Sequence, residues 1–104
     1  MDKLTQPEID SITQEFPGIP QDYLDWMRDV GWGEHENGYM VYSGPVMGDE
    51  IAPPLAEVVV VADDMAGYTI GYIRDSGNWH FVGVDTCGWE IERLYETFTQ
   101  YMHG

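Results

Sequence analysis

Hydrophobic positions recur three and four residues apart near both ends of the chain and crowd into short β-branched or alternating runs in its middle. Near the start, Ile9, Ile12 and Phe16 share one helical face, and Pro7 stands in a first turn, where its missing donor is harmless. Pro17-Gly18 ends that element. Pro20 opens a second amphipathic stretch, carrying Tyr23, Leu24, Trp26, Met27 and Val30, with Ile19 just outside it and Gly31 closing it. The last segment repeats the helical spacing at Ile91, Leu94, Tyr95, Phe98, Tyr101 and Met102. Glu90 and Glu92 would lie in its first turn, where the helix dipole favours them.

The middle reads differently. Runs 57–62, 68–74 and 79–85 are strand-like, and they are joined by Asp63-Asp64-Met65-Ala66-Gly67 and Asp75-Ser76-Gly77-Asn78, both dense in turn formers. The pattern predicts a three-stranded antiparallel meander. Val58 to Val61 is an unbroken β-branched run that needs cover on both faces, so it belongs near the centre of a sheet on which helices pack. Tyr39-Met40-Val41-Tyr42 adds a fourth strand, placed at an edge. Residues 31–38 read as a glycine-rich loop, and Gly44-Pro45 and Pro53-Pro54 bracket a second irregular stretch containing Asp49 and Glu50. The expected fold is α+β in the order ααββββα: an antiparallel sheet of about four strands, flanked by two N-terminal helices and one C-terminal helix. At 104 residues one domain, 1–104, is the natural reading.

Charge changes the picture most. Nineteen acidic residues face four basic ones, Lys3, Arg28, Arg74 and Arg93, for a formal net charge of -15. That balance argues against nucleic acid and anionic membranes as partners. Solubility needs a net charge of only about 2 to 8 for a small domain, so the excess points to a basic partner, the other explanation being an acidic proteome. The single cysteine, Cys87, leaves no internal disulfide and suggests a reducing compartment. With no basic segment leading into an apolar run at the start and no apolar stretch near the roughly 18 residues of a membrane span, the expected location is cytoplasmic.

Three segments, taken in order, carry a resemblance to a known family. They are Phe16-Pro17-Gly18-Ile19-Pro20-Gln21-Asp22-Tyr23-Leu24-Asp25-Trp26-Met27, then Val61-Ala62-Asp63-Asp64-Met65-Ala66-Gly67 with the Tyr68 strand, then Leu94-Tyr95-Glu96-Thr97-Phe98-Thr99-Gln100-Tyr101-Met102. The chain resembles the SUKH superfamily, which groups bacterial toxin-immunity proteins with a yeast regulator of cell-wall synthesis. Ile19 stands where that family often has Leu, and Gly31-Trp32-Gly33 replaces its commoner Asn-Gly-Gly-like end to the second helix. The resemblance implies a cytoplasmic protein that neutralises a cognate toxin domain, often a nuclease or deaminase, without catalysis and without a cofactor.

Read residue by residue, the candidate chemistry is sparse. Glu34-His35-Glu36 are adjacent in one loop, and adjacent residues seldom converge on one ion or form an acid/base pair, so no metal site is expected there. His80, in a strand, and His103, at the terminus, are not spaced with Cys87 like a zinc site. Asp63, Asp64 and Asp75 lack the register of a calcium loop and read as turn chemistry, although exposed carboxylates there could also touch a partner. Cys87, with no basic neighbour, is expected to be a small buried hydrophobe. No nucleophile elbow, phosphate-binding loop or dinucleotide fingerprint occurs.

What remains is a binding surface. Trp32 and Tyr39 flank the acidic loop with Glu34 and Glu36, the make-up of an interface anchor, although both aromatics could instead fold back onto the core. Asp49 and Glu50 form a second acidic loop. These six residues are the candidate contacts for a toxin domain, and the protein is expected to be a monomer or homodimer. The competing readings are a regulatory protein-protein interaction module and an acidic nucleic-acid mimic.

Overall fold

The first helix is set by a reciprocal pair at its start. In the computed structural model, which describes residues 2–103, the Thr5 backbone N–H and hydroxyl both donate to the Glu8 carboxylate at 2.9 Å. Helix α1 then runs Gln6–Glu15 with Pro7 in its first turn and buries Ile9. Helix α2, Gln21–Asp29, buries Tyr23, Leu24, Trp26 and Met27 on one face. It ends where Gly31, at φ +103°, donates to the Trp26 carbonyl at 2.8 Å. A Cβ at Gly31 would come within 2.3 Å of the Asp2 carbonyl oxygen, because Asp2 forms an antiparallel bridge with Trp32 there.

A six-stranded antiparallel sheet follows, in simple meander order: β1 (Gly33–Glu34), β2 (Met40–Met47), β3 (Val58–Asp63), β4 (Tyr68–Asp75), β5 (Asn78–Asp85) and β6 (Ile91–Arg93). The meander 57–85 is present as β3, β4 and β5, with Tyr68 opposite Asp85 and Asp75 opposite Asn78. The expected central run Val58–Val61 is fully buried, and alternate residues serve different cores. Val59 and Val61 join Ile70, Tyr72 and Phe81 beneath the helices. Val58 and Val60 join Val82 and Val84 on the opposite face, where Leu55 closes over them. Helices therefore cover one face only. The other is covered by the link between β2 and β3, two short 3-10 turns at Gly48–Glu50 and Pro53–Leu55.

The strand count differs from expectation at both ends of the sheet. The loop 31–38 contributes β1, whose Gly33 and Glu34 pair with Val41 and Met40, and β2 continues through Gly44-Pro45 to Met47. Register shifts between Val41 and Val46, and between Val60 and Ala62, accommodate these irregularities. At the second shift a Cβ on Gly71 would lie 2.1 Å from the Val59 carbonyl oxygen, so only glycine fits the close backbone approach.

The C-terminal element is the larger correction. The helical spacing at Ile91, Leu94 and Tyr95 does not form a helix: Ile91 and Arg93 pair with Val84 and Val82, closing the outer edge of β5. Tyr95 is 86% exposed, and Glu90 and Glu92 are at no helix start. Helix α3 is confined to Phe98–His103 and buries Phe98 and Met102. It begins at Thr97, whose N–H donates to Gln100 Oε1 at 3.0 Å while its Oγ1 accepts from the Gln100 N–H at 3.1 Å. Asp22 of α2 joins that cap, accepting from the Thr99 N–H at 3.1 Å.

The core beneath the helices is largely aromatic. Phe98 meets Tyr23, Trp26 and Phe81 edge-to-face at centroid distances of 5.4, 5.6 and 6.2 Å. These pairs tie α2, α3 and the sheet into one layer.

Candidate partner-binding surface

The sequence-predicted residues separate into two places. Strand β2 begins beside Glu34, which is opposite Met40, and ends at Met47, after which Gly48 leads to Asp49 and Glu50. A strand of this length puts roughly 20 Å between its ends, so Glu34 and Glu36 do not share a patch with Asp49 and Glu50. All four carboxylates are exposed.

Trp32 and Tyr39 are half-buried and pack against the helix-side core. The Tyr39 hydroxyl shares a 2.6 Å hydrogen bond with that of Tyr101, and their rings meet edge-to-face at 5.6 Å. Asn37 fixes the hairpin further, donating through Nδ2 to the Met102 carbonyl at 3.1 Å, while its Oδ1 accepts from the Tyr39 N–H at 3.0 Å. His35 rests on Trp26 at 5.2 Å. Glu34 and Glu36 thus project from a hairpin held rigidly against α3.

Antiparallel pairing gathers further carboxylates at the same end of the sheet. Met40 is opposite Asp63, and Tyr68 is opposite Asp85. The turn between β3 and β4 and the loop between β5 and β6 therefore adjoin. Thr86 joins them, its N–H and hydroxyl donating to the Gly67 carbonyl at 2.8 and 2.7 Å. Each loop is folded around its own aspartates: Asp63 accepts from the Met65 N–H at 2.7 Å, Asp64 from the Ala66 and Tyr68 N–H groups at 2.8 and 2.9 Å, and Asp85 from the Cys87 N–H at 2.8 Å. Cys87 is exposed, contrary to the expectation that it fills the core, because it belongs to this loop tip. The loops also expose Met65 (54%) and Trp89 (37%). Sequence reasoning passed over both, since nothing in their local pattern separates a core aromatic from a loop-tip aromatic.

Cations do little to balance this surface. Among the described residues the only ion pairs are those of Arg28 with Asp25 at 3.2 Å and with Asp29 at 3.0 Å. The hydrogen bond from Arg28 holds the Asp29 carboxyl below its ordinary range. Arg74 lies 5.3 Å over Trp79 and Arg93 lies 5.2 Å over Tyr95. Near the acidic end, the Tyr68 hydroxyl donates to Glu92 at 3.2 Å, and burial, helped by that carboxylate, pushes its pKa up to about 12. Burial likewise raises Tyr42, whose hydroxyl donates to Asp63 at 2.5 Å.

One concave site lies elsewhere. A cleft of about 220 Å³ opens between the start of α2, β5 and the link into α3, lined by Asp22, Tyr72, Trp79, Leu94 and Thr97 among others. Tyr72 is buried beside it, and neither its hydroxyl nor that of Tyr23 has a hydrogen-bond partner among the described residues. Burial raises the pKa of both phenols. Among the described residues no group of three or more His, Cys, Asp or Glu side chains is placed to hold a metal ion, and no helix is long and apolar enough to cross a membrane. No family model, no curated protein and no solved structure matches this chain.

Proposed function

We propose that this chain is an immunity protein of SUKH type, which binds a basic toxin domain in the cytoplasm and neutralises it by occlusion, without cofactor or catalysis. The observation that carries this reading is the uncompensated acidic surface: of 19 acidic residues only Asp25 and Asp29 are in ion pairs among the described residues. Such a surface attracts a protein whose own site is built for phosphate, and steering of this kind raises association rates to roughly 10^8 to 10^9 per molar per second at low salt. The element order adds support, since the three segments that carry the resemblance fall, in order, on α2, on the β3–β4 turn and on the segment that closes with α3.

Stopped-flow association with the toxin domain encoded beside this gene, measured across a salt series, tests the reading. A single tight partner with an association rate that falls steeply as salt rises is the expected result. Comparable binding to unrelated basic proteins would favour the nucleic-acid mimic. Tight binding to an ordinary cellular enzyme instead would favour the regulatory module.

A further inference from the structure

Among the described residues three of the five exposed large hydrophobic side chains, Met65, Trp89 and Ile91, are near one end of the sheet, where carboxylates outnumber cations and Arg93, opposite Val82, is the nearest strand cation. Met65 is at the tip of the β3–β4 turn, Trp89 in the adjoining β5–β6 loop, and Ile91, 43% exposed, directly after it. Asp63, Asp64, Asp85 and Glu90 flank them in the same two loops. Arg74, by contrast, is at the opposite end of β4, opposite Trp79.

Met65 and Trp89 share a second property. Each has a φ of +60°, in the left-handed region that side chains of this bulk disfavour. Glycine would relieve that cost, and with Met65 54% and Trp89 37% exposed only part of each side chain gains from burial in return. The exposed part of each side chain is apolar surface that a docked partner would cover. The loops that hold these groups are ordered beforehand, through Thr86 on Gly67 and the aspartate caps, so docking them costs little further entropy.

We infer that this end of the sheet is the partner-facing surface, with Met65 and Trp89 as its apolar anchors inside a ring of carboxylates. The occupant is a protein surface that offers an apolar recess rimmed by lysine or arginine. Charge selects that class, since a second copy of this chain would bring like-charged rims together. Glu34, opposite Met40 and so two strands from Asp63, extends the rim, whereas Asp49 and Glu50 are outside it. This inference rests on the immunity reading and gives it a face.

The test is calorimetric titration of the toxin domain encoded beside this gene with the wild-type chain and with the double variant Met65→Gly, Trp89→Gly. Glycine accepts both backbone conformations, but the covered part of each side chain is lost, so the variant is expected to melt below wild type and its folded state is verified by circular dichroism before titration. Binding weakened by at least about 30-fold in that folded variant is the expected result. Affinity within threefold (about 0.65 kcal/mol) of wild type would overturn the assigned face and leave the immunity reading standing. No binding by the wild-type chain would overturn both. Hydroxyl-radical oxidation of Met65 and Trp89 in the wild-type complex gives a readout without substitution, and equal oxidation in the free and bound chain would also remove the face.

Discussion

Leu55→Ala is the substitution that best tests how the sheet is covered. Leu55 is fully buried and is the sole residue of the β2–β3 link in the second core, where it meets Val58, Val60, Val82 and Val84. The substitution removes three carbons, or about 2.4 kcal/mol of transfer free energy at ~0.8 kcal/mol per methylene. A cavity term is added, because the facing valines are stiff at χ1 and Leu55 is held by a short turn, its N–H donating to Ala52 at 3.0 Å. Together these give about 3 to 4 kcal/mol, within the range measured for buried leucines. That is a large part of the roughly 5 to 15 kcal/mol available to a domain of this size, and lowers the melting temperature by about 12 to 30 °C. Urea unfolding followed by far-UV circular dichroism measures it, with Leu55→Met, expected to lose less than about 1.5 kcal/mol, as control. The tryptophan region of the near-UV spectrum of the folded variant should be unchanged, since no tryptophan borders this cluster, whereas the tyrosine region reports Tyr42, which packs against it. A loss under about 1 kcal/mol would refute the argument that Leu55 closes this face.

Gly31→Ala should destabilise by more than about 1 kcal/mol, because the methyl group meets the Asp2 carbonyl and the backbone is left-handed; an unchanged urea midpoint would show that the Asp2–Trp32 bridge opens freely. Tyr72→Phe removes a buried hydroxyl without a partner and should raise stability by about 1 kcal/mol in the same assay, whereas a loss would reveal a hydrogen bond that the fold conceals. The Glu8 carboxyl is held below its ordinary value by the Thr5 N–H and hydroxyl, so its contribution is present above the unfolded pKa and is lost as pH falls through the folded one. Carboxyl NMR titration should show this depression shrinking in Thr5→Ala. Tyr23, Tyr39, Tyr42, Tyr68 and Tyr72 all have raised values, so stability is full below about pH 10, the unfolded value, and falls as pH rises toward and past the folded values. Residue-resolved NMR of these five phenol rings should therefore show them ionising together with loss of fold, not before it.

Much of this architecture was legible where local pattern and tertiary role agree. The two leading helices declare themselves through Pro7, Pro20 and Gly31, and the meander through its turn residues, because each signal acts within a few residues. The C-terminal segment misled because Ile91, Leu94 and Tyr95 satisfy a helical spacing by coincidence, while the open edge of β5 competes for the same residues. A local cue did mark the true helix start: Thr97 followed by Gln100 is the same capping pattern as Thr5 followed by Glu8. The candidate surface was less legible still. The sequence offers two acidic loops, Glu34 with Glu36 and Asp49 with Glu50, but not their relative placement, and strand direction puts them at opposite ends of β2. Conversely, Glu34, Asp63 and Asp85, far apart in sequence, reach one end of the sheet through pairing that no single segment encodes.

The most direct measurement of the central claim is growth of a bacterial host expressing the toxin domain encoded beside this gene, with and without this protein. The account predicts that co-expression restores growth, and that an acidic protein of unrelated fold at equal abundance does not. Arrested growth in the presence of folded, abundant protein and active toxin would contradict it.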